Sequence, residues 1–192
     1  MDLSVGKTIA RILKVNHAGE FGAIRIYRAQ AFVARRLIPD LLPFLTETLD
    51  HEIDHCRKFR AAMPERGARP CYAMNLWGIG GYALGLLTAL MGRNAVMVCT
   101  KAVEATVHRH LEEQLAFLTS RDEALKALIT EIQIQELGHL EYAQMRIRPS
   151  RFNAPLERLI VVATETVIWL STQGAVTRMI RALRARPDPD AS

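Results

Sequence analysis

Apolar positions return every three or four residues through most of the chain and nowhere alternate in twos, a pattern that predicts helices and no strands. A first helix is expected over 7–36, where Leu13, His17, Glu20, Ile24, Tyr27 and Ala31 follow one another at helical steps before Pro39 and Pro43 stop it. A second, over 43–62, places Leu45, Leu49, Glu52, His55, Cys56 and Phe59 on one face, and Pro64, Gly67 and Pro70 then make a connection. Further helices are expected over 71–92, 94–119 and 122–146. After Pro149 and Pro155 a last one is expected over 155–185, its apolar run interrupted only by Glu165. The tail RPDPDAS is too polar and proline-rich to pack and is expected to be disordered. Six helices in 192 residues make an all-α chain of one domain, long enough to bury a core without staples.

Two of these helices carry the tetrad Glu-x-x-His: Glu52–His55 and Glu136–His139. Residues three apart share a helix face, so each tetrad aims a carboxylate and an imidazole at one spot. One such tetrad is a common accident of a wet surface. The pair is not, because Glu20 precedes Glu52 by 32 residues and Glu104 precedes Glu136 by 32. The halves superimpose at an offset of 84, which also matches Ala18 with Ala102, Arg25 with Arg109, Gln30 with Gln114 and His55 with His139. Each half thus supplies one Glu on its first helix and Glu-x-x-His on its second. Glu20 and Glu104 sit on apolar faces, where an unpartnered carboxylate is costly. This is the donor arithmetic of a ferritin-like four-helix bundle holding two iron ions. Four carboxylates offset most of the charge of two divalent ions, and imidazoles leave room for oxygen. Glu52 and Glu136 are expected to bridge, with Glu20 and Glu104 terminal.

The segment 71–92, CYAMNLWGIGGYALGLLTALMG, holds no charge and five glycines. It reads either as a closely packed central helix or as a membrane-embedded one, and Gly81 and Gly85 suit close helix approach in both cases. Contact with a membrane is favoured over a full span, because the segment lies between two helix pairs that must close around one site. The two apolar helices, this one and the last, are then additions to the four-helix bundle. The net charge of +5 is spread, apart from Arg178, Arg181, Arg184 and Arg186. That cluster suits an anionic membrane surface or a solvated helix end, and no nucleic-acid reading motif accompanies it. Three cysteines without a CxxC pair point to a reducing compartment rather than a disulfide framework, and the N-terminus lacks the pattern of a signal peptide.

The stretches RILKVNHAGEFGAIRIYRAQ, HEIDHCRKF, GGYALGLLTALMG, CTKAVEATVHRHLEEQ, ELGHLEYA and TETVIWLSTQG, in that order, resemble the demethoxyubiquinone hydroxylase family over about 8–175. The resemblance implies a ferritin-like di-iron enzyme that hydroxylates the ring of demethoxyubiquinol with molecular oxygen in ubiquinone biosynthesis. It implies Glu20, Glu52, His55, Glu104, Glu136 and His139 as iron ligands, a peripheral or interfacial place on a membrane, and a partner protein of quinone biosynthesis. Tyr27, seven residues after Glu20, is placed to line the pocket or hydrogen-bond a ligand, with core packing as the plain alternative. His17 could support Glu20 from behind, and His110 lies loosely on the side of Glu104. Three positions depart from the family pattern: Asn16 for Asp, Leu111 for Tyr, and Lys101 where an apolar residue is expected. The competing readings are an iron store and a rubrerythrin-like peroxidase. The first conflicts with the apolar 71–92 segment, and the second would usually bring a CxxC module, which this sequence lacks. No dinucleotide-binding fingerprint is present either, so reductant must come from elsewhere.

Overall fold

The computed structural model describes residues 3–185, and the 186–192 tail lies outside them. Seven helices follow one another: α1 (Leu3–Leu37), α2 (Leu42–Ala61), α3 (Met74–Leu90), α4 (Arg93–Leu118), α5 (Glu123–Arg146), α6 (Asn153–Ser171) and α7 (Ala175–Arg184). There are no strands among the described residues. α1 runs for 35 residues because nothing breaks its repeat until Ile38, whose successor Pro39 disfavours a helical residue before it. Gly92, at φ +97°, separates α3 from α4 in a conformation that side-chain-bearing residues rarely adopt. Asp122 caps α5 by accepting the backbone N–H of Leu125 at 2.9 Å, and Arg66 grips the same carboxylate at 2.6 and 3.0 Å.

The expected last helix is two helices. Gln173 and Gly174 both take left-handed backbone conformations, and the Gly174 N–H closes back on the Trp169 carbonyl at 3.0 Å. The chain turns by 100° there. α7 then lays Ala175, Val176 and Met179 into the core, packing against α1. The periodicity ran on through the turn because the residues after it are again amphipathic, and a left-handed pair leaves no mark on an apolar pattern beyond its glycine.

α1 pairs with α2 and α4 with α5, and each pair is followed by a helix lying on its first member, α3 on α1 and α6 on α4. α3 approaches α1 backbone to backbone. A Cβ on Gly81 would sit 2.5 Å from the Gly22 carbonyl oxygen, and one on Gly85 would run into that of Ile26. The core between the pairs is filled by Ile12, Leu13, Phe59, Ile129 and Ile132, all fully buried, each stabilising by about 1.5–3 kcal/mol relative to exposure. Asn16 and Gln114 tie α1 to α4 through reciprocal amide hydrogen bonds of 2.7 and 3.0 Å. Among the described residues no single helix is long and apolar enough to cross a membrane, α3 being 17 residues.

Candidate metal centre

The four long helices α1, α2, α4 and α5 bring the six sequence-nominated residues to one place. Two overlapping groups form: Glu20, Glu52, His55 and Glu136, and Glu52, Glu104, Glu136 and His139, with the donor atoms of each group all within 4.8 Å of one another. Glu52 and Glu136 belong to both groups. All six residues are at most 6% exposed. The helical repeat explains why: each sits on the face that its neighbours Leu13, Leu45, Phe59, Met97 and Ile132 carry into the core.

Four buried carboxylates repel one another. Burial and then the charge of Glu136 push Glu20 up to about 7. Glu52 and Glu104 are held well above the usual carboxylate range, again by burial and then by Glu136. Glu136 lies below that range, because contacts from Glu104, His139 and His55 outweigh its burial. His55 is raised to about 9, the nearby carboxylates outweighing burial. A set of acids that oppose each other's ionisation in a dry core calls for cations, and no Lys or Arg side chain reaches them among the described residues.

The orientation of the donors makes the same point. His55 Nδ1 lies 2.9 Å from Glu136 Oε1 and 3.9 Å from Glu20 Oε2, while His139 Nδ1 lies 3.7 Å from Glu52 Oε1 and from Glu136 Oε2. Yet both Nδ1 atoms, both Glu136 oxygens and Glu52 Oε1 are buried without an aligned hydrogen bond. They aim at shared points rather than at each other. Buried polar atoms left unpaired in this way are costly unless a ligand completes them. Carboxylate oxygens and imidazole nitrogens suit a pair of divalent transition-metal ions.

Tyr27, fully buried on α1, donates its hydroxyl to Glu104 Oε1 on α4. Burial and the charges of Glu104 and Glu52 push its own ionisation well up, so it stays a donor. His17 is buried but touches a different region: the charge it feels is Arg60, and its backbone carbonyl faces Cys56 Sγ. No hydrogen bond joins His17 Nδ1 to Glu20, that nitrogen being buried without a partner. His110 is 8% exposed and faces Glu165 of α6 at 3.5 Å. Lys101 turns away from the cluster to Glu157 of α6 at 2.9 Å.

Two contacts had escaped sequence reasoning. His51 Nδ1 lies 2.9 Å from His139 Nε2, and Gln135 Oε1 lies 2.6 Å from His55 Nε2. Each residue immediately precedes a tetrad glutamate, and that adjacency was the available signal.

A cavity opens onto the cluster from one side. About 110 Å³ inside it is open to water-sized molecules. Glu20, Glu52, Glu104 and Glu136 form its floor, and its walls are apolar, with Trp77 and Leu84 from α3 facing Val107 of α4 and Val167 of α6. Asn16 and His110 are among its few other polar residues. An apolar slot ending on convergent polar groups is the usual form of a small-molecule site.

The model of the family described as Ubiquinone biosynthesis protein COQ7 matches residues 7–171. The mitochondrial NADPH-dependent 3-demethoxyubiquinone 3-hydroxylase of Homo sapiens is 39% identical over 170 residues, covering 85% of this chain and 76% of the relative. Its counterpart of the same name in Dictyostelium discoideum is 36% identical over 169 residues, covering 86% and 77%. The 3-demethoxyubiquinol 3-hydroxylase of Rhodospirillum rubrum is 35% identical over 172 residues, covering 88% and 80%.

Proposed function

This chain belongs to the family of the ubiquinone biosynthesis protein COQ7, and we propose that it is a di-iron monooxygenase that hydroxylates the ring of a demethoxyubiquinol with molecular oxygen. The observation that carries this reading is the apolar cavity whose floor is the set of carboxylates shared between two metal-binding groups. Glu20 and His55 would hold one iron and Glu104 and His139 the other, with Glu52 and Glu136, common to both groups, shared between them. Iron, when bound, supplies the activation of oxygen that no amino-acid side chain can provide.

The chain's own residues bind, orient and exclude water. Trp77, Leu84, Val107 and Val167 form a slot that takes a flat, greasy ring and admits little water beside it. His110, held toward Glu165, is a polar group on the wall that can meet a ring hydroxyl. The Tyr27 hydroxyl keeps Glu104 oriented. Ring hydroxylation inserts one oxygen atom and releases the other as water, using two electrons and two protons. The reductant is external, and the names of the Homo sapiens and Dictyostelium discoideum relatives give NADPH for those enzymes.

The substrate's tail is delivered from a membrane surface. α3 and α6, which wall the cavity, also leave large apolar side chains outside: Ile79 is 71% exposed, Leu87 61%, Val162 62% and Trp169 53%. Exposed apolar area of this kind marks an interaction surface. The chain is proposed to lie on the bilayer through these helices, with the cavity open to lipid, on the reducing side, and to meet its partner proteins of quinone biosynthesis there.

The test is direct. Reduced, iron-loaded protein is incubated with demethoxyubiquinol and labelled oxygen, and the quinone is analysed by mass spectrometry. Gain of one labelled oxygen atom is expected. An unchanged quinone, with iron shown to be bound, would refute the substrate assignment.

A further inference from the structure

We infer that His51 and Gln135 are positioning residues that orient the two metal-binding imidazoles crosswise between the halves of the molecule, and that their unlike chemistry makes the two metal sites inequivalent. The inference rests on the di-iron reading above.

The geometry is reciprocal. His51 on α2 meets His139 on α5 at 2.9 Å, and Gln135 on α5 meets His55 on α2 at 2.6 Å. Positions 51 and 135 are separated by 84, the offset that relates all the metal donors, so one position of the ancestral unit has diverged into two side chains. In both cases the contact uses the Nε2 of the metal-facing imidazole and leaves its Nδ1 turned toward the carboxylates. A carboxamide oxygen only accepts, so Gln135 places the His55 ring proton on Nε2 and frees the Nδ1 lone pair. His51 Nδ1 does the same for His139 when it accepts, the two rings lying nearly coplanar, 20° apart, with centroids 5.2 Å apart. The second partner of a metal-binding His fixes its tautomer and raises its basicity as a ligand.

The difference between the two partners is chemical. Gln135 is a fixed dipole. His51 is an imidazole, a more basic and more polarisable acceptor that lies nearly in the plane of the ring it meets. The iron on His139 therefore has a different ligand field from the iron on His55, although the first ligands of the two are the same.

The test compares wild type with Gln135→Leu, His51→Phe and His51→Gln. Ferrous iron is titrated in anaerobically, and the Mössbauer spectrum of the loaded protein is recorded. Wild type is expected to show two ferrous doublets. Gln135→Leu should weaken one iron about tenfold to a hundredfold and move chiefly one doublet, and His51→Phe should move chiefly the other. His51→Gln makes the two partners alike, so it should retain affinity and bring the doublets together. Gln135→Glu keeps an acceptor and should keep its iron, which guards against a folding failure of the leucine variant. Unchanged affinities and doublets in Gln135→Leu and His51→Phe, or movement of the same doublet in both, would overturn the inference. So would His51→Gln behaving like His51→Phe. A wild type that binds no iron would overturn the di-iron reading itself, and the inference with it.

Discussion

The two halves of the molecule, α1–α3 and α4–α6, are built alike but sealed differently. In each, a helix hairpin supplies a lone Glu and a Glu-x-x-His, and a third helix lies on the first. In the first half that third helix touches α1 through Gly81 and Gly85, backbone on backbone, with Gln30 and Thr88 joined at 3.1 Å. In the second, α6 is held to α4 by polar pairs at arm's length: Asn94 with Asn153 at 2.7 Å, Lys101 with Glu157 at 2.9 Å and Arg109 with Glu165 at 3.4 Å. The same divergence reaches the centre, where Tyr27 donates to Glu104 while its repeat partner is Leu111, a core side chain with no hydroxyl to offer. Duplication has kept the donors and varied what surrounds them. The α1–α3 contact is a closed wall, and the cavity lies between it and the looser α4–α6 pair.

The largest expected effect concerns what the halves share, their carboxylates. Glu20 is held at about 7 folded against an ordinary 4.5, and Glu52 and Glu104 are also held well above the usual carboxylate range by burial and then by Glu136. Such groups bind protons more tightly folded than unfolded. Their stabilisation is complete below about 4.5 and is lost as pH rises through the folded values, each tenfold difference in proton affinity being worth about 1.4 kcal/mol. His55, raised to about 9, acts in the same direction. His17 and His51, lowered by burial, act against it but are outnumbered, and Glu136 stays ionised throughout. Metal-free protein should therefore melt at a lower temperature at pH 8 than at pH 5. Ferrous iron should reverse this trend, since it displaces the same protons. A metal-free midpoint that rises over this range would contradict the electrostatic account.

Next in size is the closed wall. Gly85→Val should destabilise the fold by about 3 kcal/mol, seen as a lower urea midpoint, because Ile26 backbone and not a flexible side chain stands in the way. Tyr27→Phe should weaken iron binding about tenfold with little change in fold stability, while Leu111→Phe should leave iron affinity unchanged; anaerobic titration separates the two. The smallest effect belongs to the polar side. Lys101→Ala breaks a half-exposed pair and should cost less than about 1 kcal/mol in denaturant unfolding, without changing iron affinity.

The clustering of Glu20, Glu52, His55, Glu104, Glu136 and His139 was legible because helical spacing fixes which residues share a face, and the offset of 84 fixes which faces meet. The five earlier helices were legible for the same reason. What spacing does not encode is the partner across a helix boundary. His51 and Gln135 lie one residue before the tetrads, on the edge of the face, and only the packing of α2 beside α5 turns them inward. His17 fails in the opposite sense: its step from Glu20 is helical, yet its ring falls beside Arg60. Lys101, one turn from Glu104, was close in sequence to the buried carboxylates but reaches outward to Glu157. The structural likeness of α3 and α6 was invisible because glycine-rich and valine-rich helices share almost no identity at the repeat offset. The break at Gln173–Gly174 was hidden by apolar residues on both sides of it.

Iron content bears most directly on the central claim that two copies of one unit make a two-metal centre. Protein reconstituted anaerobically with ferrous iron and freed of excess should carry two irons per chain by elemental analysis. Glu136→Ala removes a donor common to both groups and should lose both. One iron per chain in wild type, or two retained in Glu136→Ala, would contradict the account.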